Sequence, residues 1–236
     1  MKRIKAFTLA EVLIALGVIG VVSALTLPSL VVNHQKDVYV TSLKKISNEL
    51  SQAAQRKMTD MNVDTFKDTG VPASIDAAKI WVKEYLNIVK SCESASGDNA
   101  LDCLGSTEGY RMLNKSANFY KNSTRKKANF YVLADGAVIN IERVLPSKGG
   151  IEFMVDINGS KKPNIGGRDV FSLTVYNNGI VDDYDNGTLS NGMAPVSEST
   201  RESMFNTWCS MSTSSGNNYL YGCFGKILND NWEMKY

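Results

Sequence analysis

The order of apolar and polar positions along the chain separates an apolar front from a mixed remainder. No residue between Val12 and Leu27 carries a charge, and the apolar character continues to Val32. As a helix, residues 7–32 would rise roughly 39 Å, which exceeds the ~30 Å hydrocarbon core of a bilayer. The pattern therefore predicts a transmembrane helix over residues 7–32.

A second helical pattern follows directly. Over residues 33–60, apolar positions recur every three or four residues opposite a polar side, which is typical of an amphipathic helix that packs on a core. The stripe consists of Tyr39, Leu43, Ile46, Leu50, Ala53 and Lys57. The polar side carries Lys44, Lys45, Asn48, Gln52 and Arg56. Together the two patterns predict one helix from Phe7 to Met58, roughly 78 Å long.

Two shorter helices are predicted further along the chain. The segment Thr69–Pro72 interrupts the helical pattern, and Ser74 fits the N-cap of a second helix that ends before Cys92. Near the C-terminus, Ser199 and Glu202 fit a capping box at the start of another helix.

The clearest β signal lies between these helices. Runs rich in β-branched and aromatic residues predict strands at NFYVL, AVINIERV, GIEFMVDI and VFSLTVY. Between the first two, Asp135-Gly136 predicts a tight hairpin in which both turn positions take a positive φ. Asn177-Asn178-Gly179 predicts another turn. The predicted fold class is α+β, with the long N-terminal helix packed on an antiparallel sheet.

Charge changes this picture little. Three of the 26 basic side chains, Lys2, Arg3 and Lys5, precede the apolar run, which leaves the remainder with 23 basic and 24 acidic side chains. Such a nearly neutral body does not favour nucleic-acid binding, and the cluster Arg125–Lys127 is interpreted as a solvated strand flank. The single histidine, His34, lies just beyond the apolar run, a position that does not favour histidine-based catalysis.

The four cysteines contain no CxxC pair, whereas zinc sites usually have a tight ligand pair. An even count on a chain that crosses a membrane favours disulfides. Because short loops close at little entropic cost, we expect the pairs Cys92–Cys103 and Cys209–Cys223. The alternative is four reduced, partly buried thiols.

One acid, Glu11, lies near the front of the apolar run. A carboxylate in hydrocarbon costs about 2.5–3.5 kcal/mol, and its default interpretation is a functional group with a partner. Two ordinary interpretations of the segment are a secretory signal peptide cleaved after Ala24 and a plain membrane anchor. Neither explains Glu11.

The segment KAFTLAEVLIALGVIGVVSALTLPSL, residues 5–30, resembles the N-terminal segment of type IV pilins and type II secretion pseudopilins. In that family, a membrane aspartyl peptidase removes a short basic leader on the cytoplasmic side and methylates the new terminal amine, usually of a phenylalanine. The family's landmark positions fall on Thr8, Glu11, Gly17, Gly20 and Pro28. One position departs from the family, because Ala6 stands where a glycine normally precedes the cut.

The resemblance implies cleavage between Ala6 and Phe7 and methylation of the Phe7 amine. It also implies that Glu11 pairs with the terminal amine of a neighbouring subunit. Three helix positions would weaken the helix locally during assembly, namely Gly17, Gly20 and Pro28.

The domain organisation expected from this resemblance is a leader (1–6), a transmembrane and filament-core helix (7–32), its amphipathic continuation (33–60) and an α+β head (61–236). The expected protein is a structural, non-enzymatic subunit of a type IV pilus or type II secretion-type pseudopilus. It would be anchored in the inner membrane with its head outside the cytoplasm. Expected partners are copies of itself, related pilins or pseudopilins, the prepilin peptidase, the inner-membrane assembly machinery and membrane lipid. The alternative is a membrane-anchored extracytoplasmic binding protein or adhesin that does not polymerise.

One loop of the head, residues 156–169, offers hard oxygen atoms around tight turns, which suits calcium. These oxygens belong to Asp156, Asn158, Gly159, Asn164 and Asp169. The candidate ligands selected from them are Asp156, Asn158 and Asp169, and some major pseudopilins carry calcium in head loops. The EF-hand spacing is not met, so an ordinary turn loop is the simpler interpretation and calcium the alternative. A second acidic turn follows at Asp182–Gly187. No other cofactor is expected.

Overall fold

The computed structural model describes residues 8–94, 103–104, 110–113, 128–185, 187, 189, 192–210 and 220–236. One helix, α1, runs from Leu9 to Asp60. The predicted long helix is confirmed. The contacts divide the chain into two compact units, and the boundary in the sequence lies between Val38 and Tyr39.

Within the second unit, α1 buries one face. Leu43, Ile46, Leu50 and Ala53 are at most 1 % exposed and belong to the same apolar cluster as the inward-facing residues of the sheet. The polar side that contains Lys44 and Arg56 is exposed, as the pattern predicts. The amphipathic part of α1 therefore supplies one wall of the core of the head.

A second helix packs beside α1. Its bounds are Ile75–Tyr85 (α2), and two short 3₁₀ turns precede it at Lys67–Thr69 and Val71–Ala73. Ser74 is the N-cap, as predicted, and its Oγ accepts a hydrogen bond from the N–H of Ala77 at 3.1 Å. Trp81 is buried, and its Nε1 donates to the carbonyl of Ala53 at 3.3 Å, which ties α2 to α1.

The head contains a six-stranded antiparallel sheet in which neighbours in sequence are neighbours in space. The strands are β1 Ile88–Ser94, β2 Ala128–Leu133, β3 Val138–Leu145, β4 Gly150–Asp156, β5 Val170–Val175 and β6 Val181–Asp182. The predicted strands correspond to β2–β5, which confirms the α+β fold class. The pattern missed both edge strands, because β1 is largely polar and β6 has two residues.

Both faces of the sheet are covered. In β4, Ile151, Phe153 and Val155 belong to the cluster that contains the α1 residues. Met154 belongs to a second cluster on the opposite face, with Cys92, Cys103, Leu104, Tyr110 and Met112. Polar residues of β4 also point to the second face, and Glu152 and Asp156 are at most 1 % exposed. The sheet is therefore buried against an apolar wall on one side and a partly polar wall on the other.

The two predicted turns are present, but one was described wrongly. At the β2–β3 turn, Gly136 has a φ of 90°, whereas Asp135 is not among the residues with positive φ. The Leu133 N–H donates to the Ala137 carbonyl at 2.8 Å, so the loop has three residues rather than two. A three-residue hairpin needs one left-handed position, which glycine supplies.

The described C-terminal part of the head contains two short helices, α3 Glu198–Met204 and α4 Cys223–Asn229, and a π-helical turn, Phe205–Cys209, extends α3. The predicted N-cap of α3 was wrong by two residues. Ser197 is the cap, and its Oγ accepts from the Thr200 N–H at 3.1 Å. Glu202 lies within the helix and pairs with Lys226 of α4 at 3.1 Å, so Ser199 and Glu202 form no capping box.

Both expected disulfides are present, Cys92–Cys103 and Cys209–Cys223. The second joins the end of the π-helical turn to the start of α4. Its sulfur atoms lie 3.0 Å from the position that a Cβ on Gly167 would occupy. The C-terminal elements are therefore packed against the β4–β5 loop.

Candidate functional site

The first half of α1 presents apolar side chains in every direction. Leu9 is 79 % exposed and Leu25 is 75 % exposed, and large apolar side chains remain exposed as far as Val32. In the described part of the chain, α1 is the one helix that is long and apolar enough to be a candidate membrane span, by length and composition alone. An apolar surface of this extent marks an interaction with lipid or with protein.

Glu11 is part of the N-terminal cap of this helix. Its Oε2 accepts hydrogen bonds from the N–H of Thr8 at 2.8 Å and from the Thr8 hydroxyl at 2.9 Å. In return, the Glu11 N–H donates to Thr8 Oγ1 at 3.2 Å. This is a capping box, which our sequence analysis missed although Thr8-x-x-Glu11 is its signature. The cap uses one carboxylate oxygen and leaves Oε1 directed to no hydrogen-bond donor in the described residues.

The other predicted positions of this segment are not all described. Ala6 and Phe7 lie outside the described residues. Helix α1 continues through Pro28, and no heavy atom lies within 4 Å of the position that a Cβ on Gly17 or Gly20 would occupy. The proposed weak points of the helix therefore stay a prediction.

The loop between β4 and β5 encloses two buried carboxyl groups. Asp156 accepts hydrogen bonds from the Tyr110 hydroxyl and from the N–H of Asn158. Asp169 accepts from two successive backbone N–H groups, that of Asn164 at 2.7 Å and that of the next residue at 2.6 Å. Both acids are 0 % exposed. The structure thus brings the predicted pair together, and much of its hydrogen bonding is internal to the loop.

Burial changes the titration of both carboxyl groups of this loop. Burial raises the pKa of Asp156 to about 8, and the nearby Asp169 carboxylate contributes to the increase. Burial also raises the pKa of Asp169. Two amide oxygens, Asn158 Oδ1 and Asn164 Oδ1, are buried without a hydrogen-bond partner. The sequence placed Asn164 among the oxygen-bearing residues of this loop but did not select it as a candidate ligand, because the sequence does not reveal which loop oxygens are buried.

The second acidic turn is bound by protein groups. Asp182 pairs with Arg201 of α3, and Asp185 pairs with Lys148 in the β3–β4 turn at 3.1 Å. Asp183 accepts hydrogen bonds from the backbone at the start of α4. All three acids are at most 1 % exposed. This turn therefore holds the C-terminal helices on the sheet. Over the described residues, no group of three or more His, Cys, Asp or Glu side chains is arranged for a metal ion.

Asp183 makes the stability of the head depend on pH. Burial raises its pKa to about 7, against the effect of three backbone N–H donors, those of Tyr184, Gly222 and Gly225. A carboxyl group whose pKa is higher in the folded than in the unfolded state stabilises the fold at low pH, and this contribution is lost as pH rises through the folded-state pKa. We expect the free energy of unfolding to fall between about pH 4 and pH 7 for this reason.

The measurement is urea unfolding across that pH range for the wild type and for Asp183→Asn, which does not titrate. The variant should be less stable overall, because its amide N–H₂ cannot accept the backbone hydrogen bonds, and its stability should depend less steeply on pH. Equal pH slopes for the two proteins would contradict the assignment to Asp183. Asp76→Asn, at an 88 % exposed side chain, is the matched control.

The basic cluster Arg125–Lys127 lies outside the described residues.

Comparison with known proteins concerns the N-terminal segment alone. A family model described as the prokaryotic N-terminal methylation motif matches residues 1–27. The comparisons with curated proteins and with solved structures find no match to this chain.

The matched residues contain the apolar front, the Thr8–Glu11 cap and the positions on either side of the expected cut. The motif implies in general terms a precursor processed by a peptidase and assembled with other pilin subunits, a structural class of protein. The apolar first half of α1 is consistent with anchoring in a membrane. The N-terminal segment of this chain therefore carries the prokaryotic N-terminal methylation motif, which supports membership in the prepilin-type pilin and pseudopilin family.

Proposed function

We propose that the chain is a structural subunit of a type IV pilus or of a type II secretion-type pseudopilus. One observation carries this proposal. A helix that exposes apolar side chains on all sides, with Glu11 at its start, lies within the residues that match the methylation motif. A soluble protein would bury such an apolar surface. In a filament subunit, the surface lies in the membrane before assembly and packs against neighbouring subunits afterwards.

The proposed processing supplies the partner of Glu11. Cleavage between Ala6 and Phe7 exposes a cationic amine at Phe7, which is then methylated. An unpaired amine and an unpaired carboxylate are both unfavourable in an apolar setting, and pairing between neighbouring subunits relieves both. The Thr8 cap occupies Oε2 of Glu11, so Oε1 is the oxygen that receives the amine of a neighbour.

The proposed topology follows from the charges of the leader. Lys2, Arg3 and Lys5 remain on the cytoplasmic side, so the head lies outside the cytoplasm. The two disulfides are compatible with that compartment. The proposed partners are copies of this chain, related pilins or pseudopilins, the prepilin peptidase, the inner-membrane assembly machinery and lipid. The protein acts by polymerising and not by catalysis.

The test is the N-terminus of the mature protein. Intact mass and N-terminal sequencing should show a chain that begins at N-methylated Phe7. A start at Leu25 would indicate ordinary secretion after cleavage behind Ala24. An intact start at Met1 would favour the plain anchor of a binding protein or adhesin.

We propose, second, that the β4–β5 loop binds calcium. The observation that favours this is the pair of buried amide oxygens without partners, Asn158 Oδ1 and Asn164 Oδ1, in the loop that holds the carboxyl groups of Asp156 and Asp169. Calcium takes six to eight oxygen ligands from carboxylates, amides and backbone carbonyls, so a loop with two acids needs its amide oxygens. The hydrogen bonds within the loop would hold these groups in place.

We expect calcium to raise the thermal midpoint of the protein relative to a chelator. At a calcium concentration 100 times the dissociation constant, the stabilisation is about 2.7 kcal/mol. The measurement is a pair of thermal melts, with direct titration calorimetry of calcium into the wild type. Asp169→Asn should abolish the calcium effect, whereas Asp76→Asn should keep it. Identical wild-type melts and no binding heat would leave the loop as an ordinary turn.

A further inference from the structure

Two of the proposed calcium ligands, Asn164 and Asp169, belong to one closed turn, residues 164–170. The Ile165 carbonyl accepts hydrogen bonds from the N–H groups of Asp169 at 3.1 Å and Val170 at 3.2 Å. The Asp169 carboxyl group also closes the turn, since it accepts from the N–H groups of Asn164 and Ile165. The positions of both ligands therefore depend on whatever holds this turn in place.

The middle of the turn rests on the Cys209–Cys223 disulfide. Gly167 has a φ of 80°, and a Cβ at this position would lie 3.0 Å from each of the two sulfur atoms. Glycine tolerates this φ and has no Cβ, so the backbone can approach the disulfide this closely. Both cysteines are at most 1 % exposed. The disulfide is therefore a buried wall against which the turn packs.

A second contact holds the turn through its backbone. The Arg111 N–H donates to the Asn164 carbonyl at 3.0 Å, and the Gly166 N–H donates to the Arg111 carbonyl at 2.8 Å. These hydrogen bonds form irrespective of the oxidation state of the cysteines. The contact at Gly167 is different, because its wall exists only after two thiols have been joined.

We propose that formation of the Cys209–Cys223 disulfide completes the calcium site of the β4–β5 loop, so that the reduced chain binds calcium weakly. This inference rests on the calcium site proposed above. Without the sulfur–sulfur bond, the two cysteines can separate, and the turn that carries Asn164 and Asp169 gains freedom that calcium binding must then remove. Groups that hold metal ligands in place typically change metal affinity about 10–100-fold.

The step that completes the site is an oxidation by disulfide exchange. The thiols of Cys209 and Cys223 lose two protons and two electrons as the bond between them forms, and a disulfide-bearing oxidant is reduced to a dithiol. Conditions that favour this exchange prevail outside the cytoplasm. With the topology proposed above, the head would therefore gain its full calcium affinity only after it has crossed the membrane.

The experiment is calcium titration calorimetry on the full chain in non-ionic detergent micelles. It compares the oxidised wild type with Cys209→Ala/Cys223→Ala, and circular dichroism and tryptophan fluorescence verify that both are folded. We expect the calcium dissociation constant of the variant to be about 10–100-fold higher. The start of α4 keeps other anchors in this variant, since the Asp183 carboxyl group accepts from the N–H groups of Gly222 and Gly225.

Gly167→Ala tests the same contact in a chain that keeps both disulfides. Its Cβ would displace the turn from the sulfur atoms, and we expect a similar loss of calcium affinity, about 10–100-fold. Gly179→Ala is the matched control. Gly179 also has a positive φ, 73°, and its Cβ would lie 3.3 Å from Gln55 Cγ, but it belongs to the β5–β6 turn. This control should bind calcium as the wild type does.

The outcomes separate the two proposals. Absence of calcium binding by the oxidised wild type would overturn the calcium site and, with it, this inference. Wild-type affinity in a folded Cys209→Ala/Cys223→Ala variant would overturn the dependence on the disulfide alone and leave the calcium site standing. If that variant does not fold, the comparison of Gly167→Ala with Gly179→Ala decides, and equal affinities of these two would overturn the inference.

Discussion

Glu11→Ala is expected to fold normally and to fail to enter filaments. The hydrogen bonds that the structure gives the Glu11 side chain and N–H are made with Thr8, in the first turn of α1. In an assembly, alanine would leave the amine of a neighbouring Phe7 in apolar surroundings without an anion. The cost is about 2.5–3.5 kcal/mol per subunit contact, or roughly 100-fold in the equilibrium constant of each addition.

The measurement is the amount of the variant in sheared or pelleted filaments relative to the amount in the membrane. Glu11→Gln separates the two roles of the carboxylate, because glutamine preserves a capping box but carries no charge. We expect it to fail as alanine does. Glu49→Ala, on the exposed side of the same helix, is the matched control. Normal incorporation of both Glu11 variants would refute the charge-pair mechanism.

Arg201→Ala is expected to destabilise the head by about 3–5 kcal/mol, a large part of the stability of an ordinary domain. Arg201 Nε donates to Asp182 Oδ1 at 2.9 Å, and its Nη2 contacts the other carboxylate oxygen. The side chain of Asp182 is 1 % exposed, and that of Arg201 is 13 % exposed. Removing the guanidinium leaves a buried carboxylate with no counter-ion, which is the costly part of the change.

Urea unfolding followed by tryptophan fluorescence measures this loss. Lys235→Ala removes one member of an exposed ion pair, with Glu233, and should change stability by less than about 1 kcal/mol. Asp182→Asn/Arg201→Ala removes both charges, and we expect it to be more stable than Arg201→Ala alone. A loss of less than 1 kcal/mol for Arg201→Ala would mean that the carboxylate is rehydrated and that the pair does not hold α3 on the sheet.

Local patterns predicted the parts of the fold that local chemistry determines. The stripe that includes Leu43 and Leu50 has helical spacing because that face is buried, and Ser74 caps α2 with its own side chain. Edge strand β1 was missed because Lys90 and Glu93 fit the solvated edge of a sheet, and their pattern resembles a loop. Its place in the fold depends on pairing with β2, which no local signal reveals.

The cap of α3 shows the same limit. Ser197 and Ser199 are both residues of the type preferred at an N-cap, and the glutamate at 202 favoured the wrong serine. The helix begins earlier because the N–H of Val196 is held by the Asp182 carboxylate at 2.9 Å and Arg201 must face that same carboxylate. Contacts between residues far apart in sequence chose between two caps that are locally similar.

The residues of the candidate site were also predictable from the sequence only in part. Glu11 could be found from the sequence because a carboxylate in an apolar run is unfavourable without a partner. Asp156 and Asp169 lie close together because the loop between them joins two neighbouring strands. The sequence named Asn164 as an oxygen-bearing residue but could not show that its side-chain oxygen is buried, since its surroundings include the segment that contains Arg111.

The apolar wall that α1 contributes determines where the chain can be shortened. A soluble fragment that begins at Tyr39 loses the exposed apolar helix and keeps Leu43, Ile46 and Leu50 in the core. A fragment that begins at residue 61 would remove these three side chains from the apolar cluster that also contains Phe153 and Leu173, both 0 % exposed in the intact head. For expression in water, the usable boundary therefore lies inside the helix and not at its end.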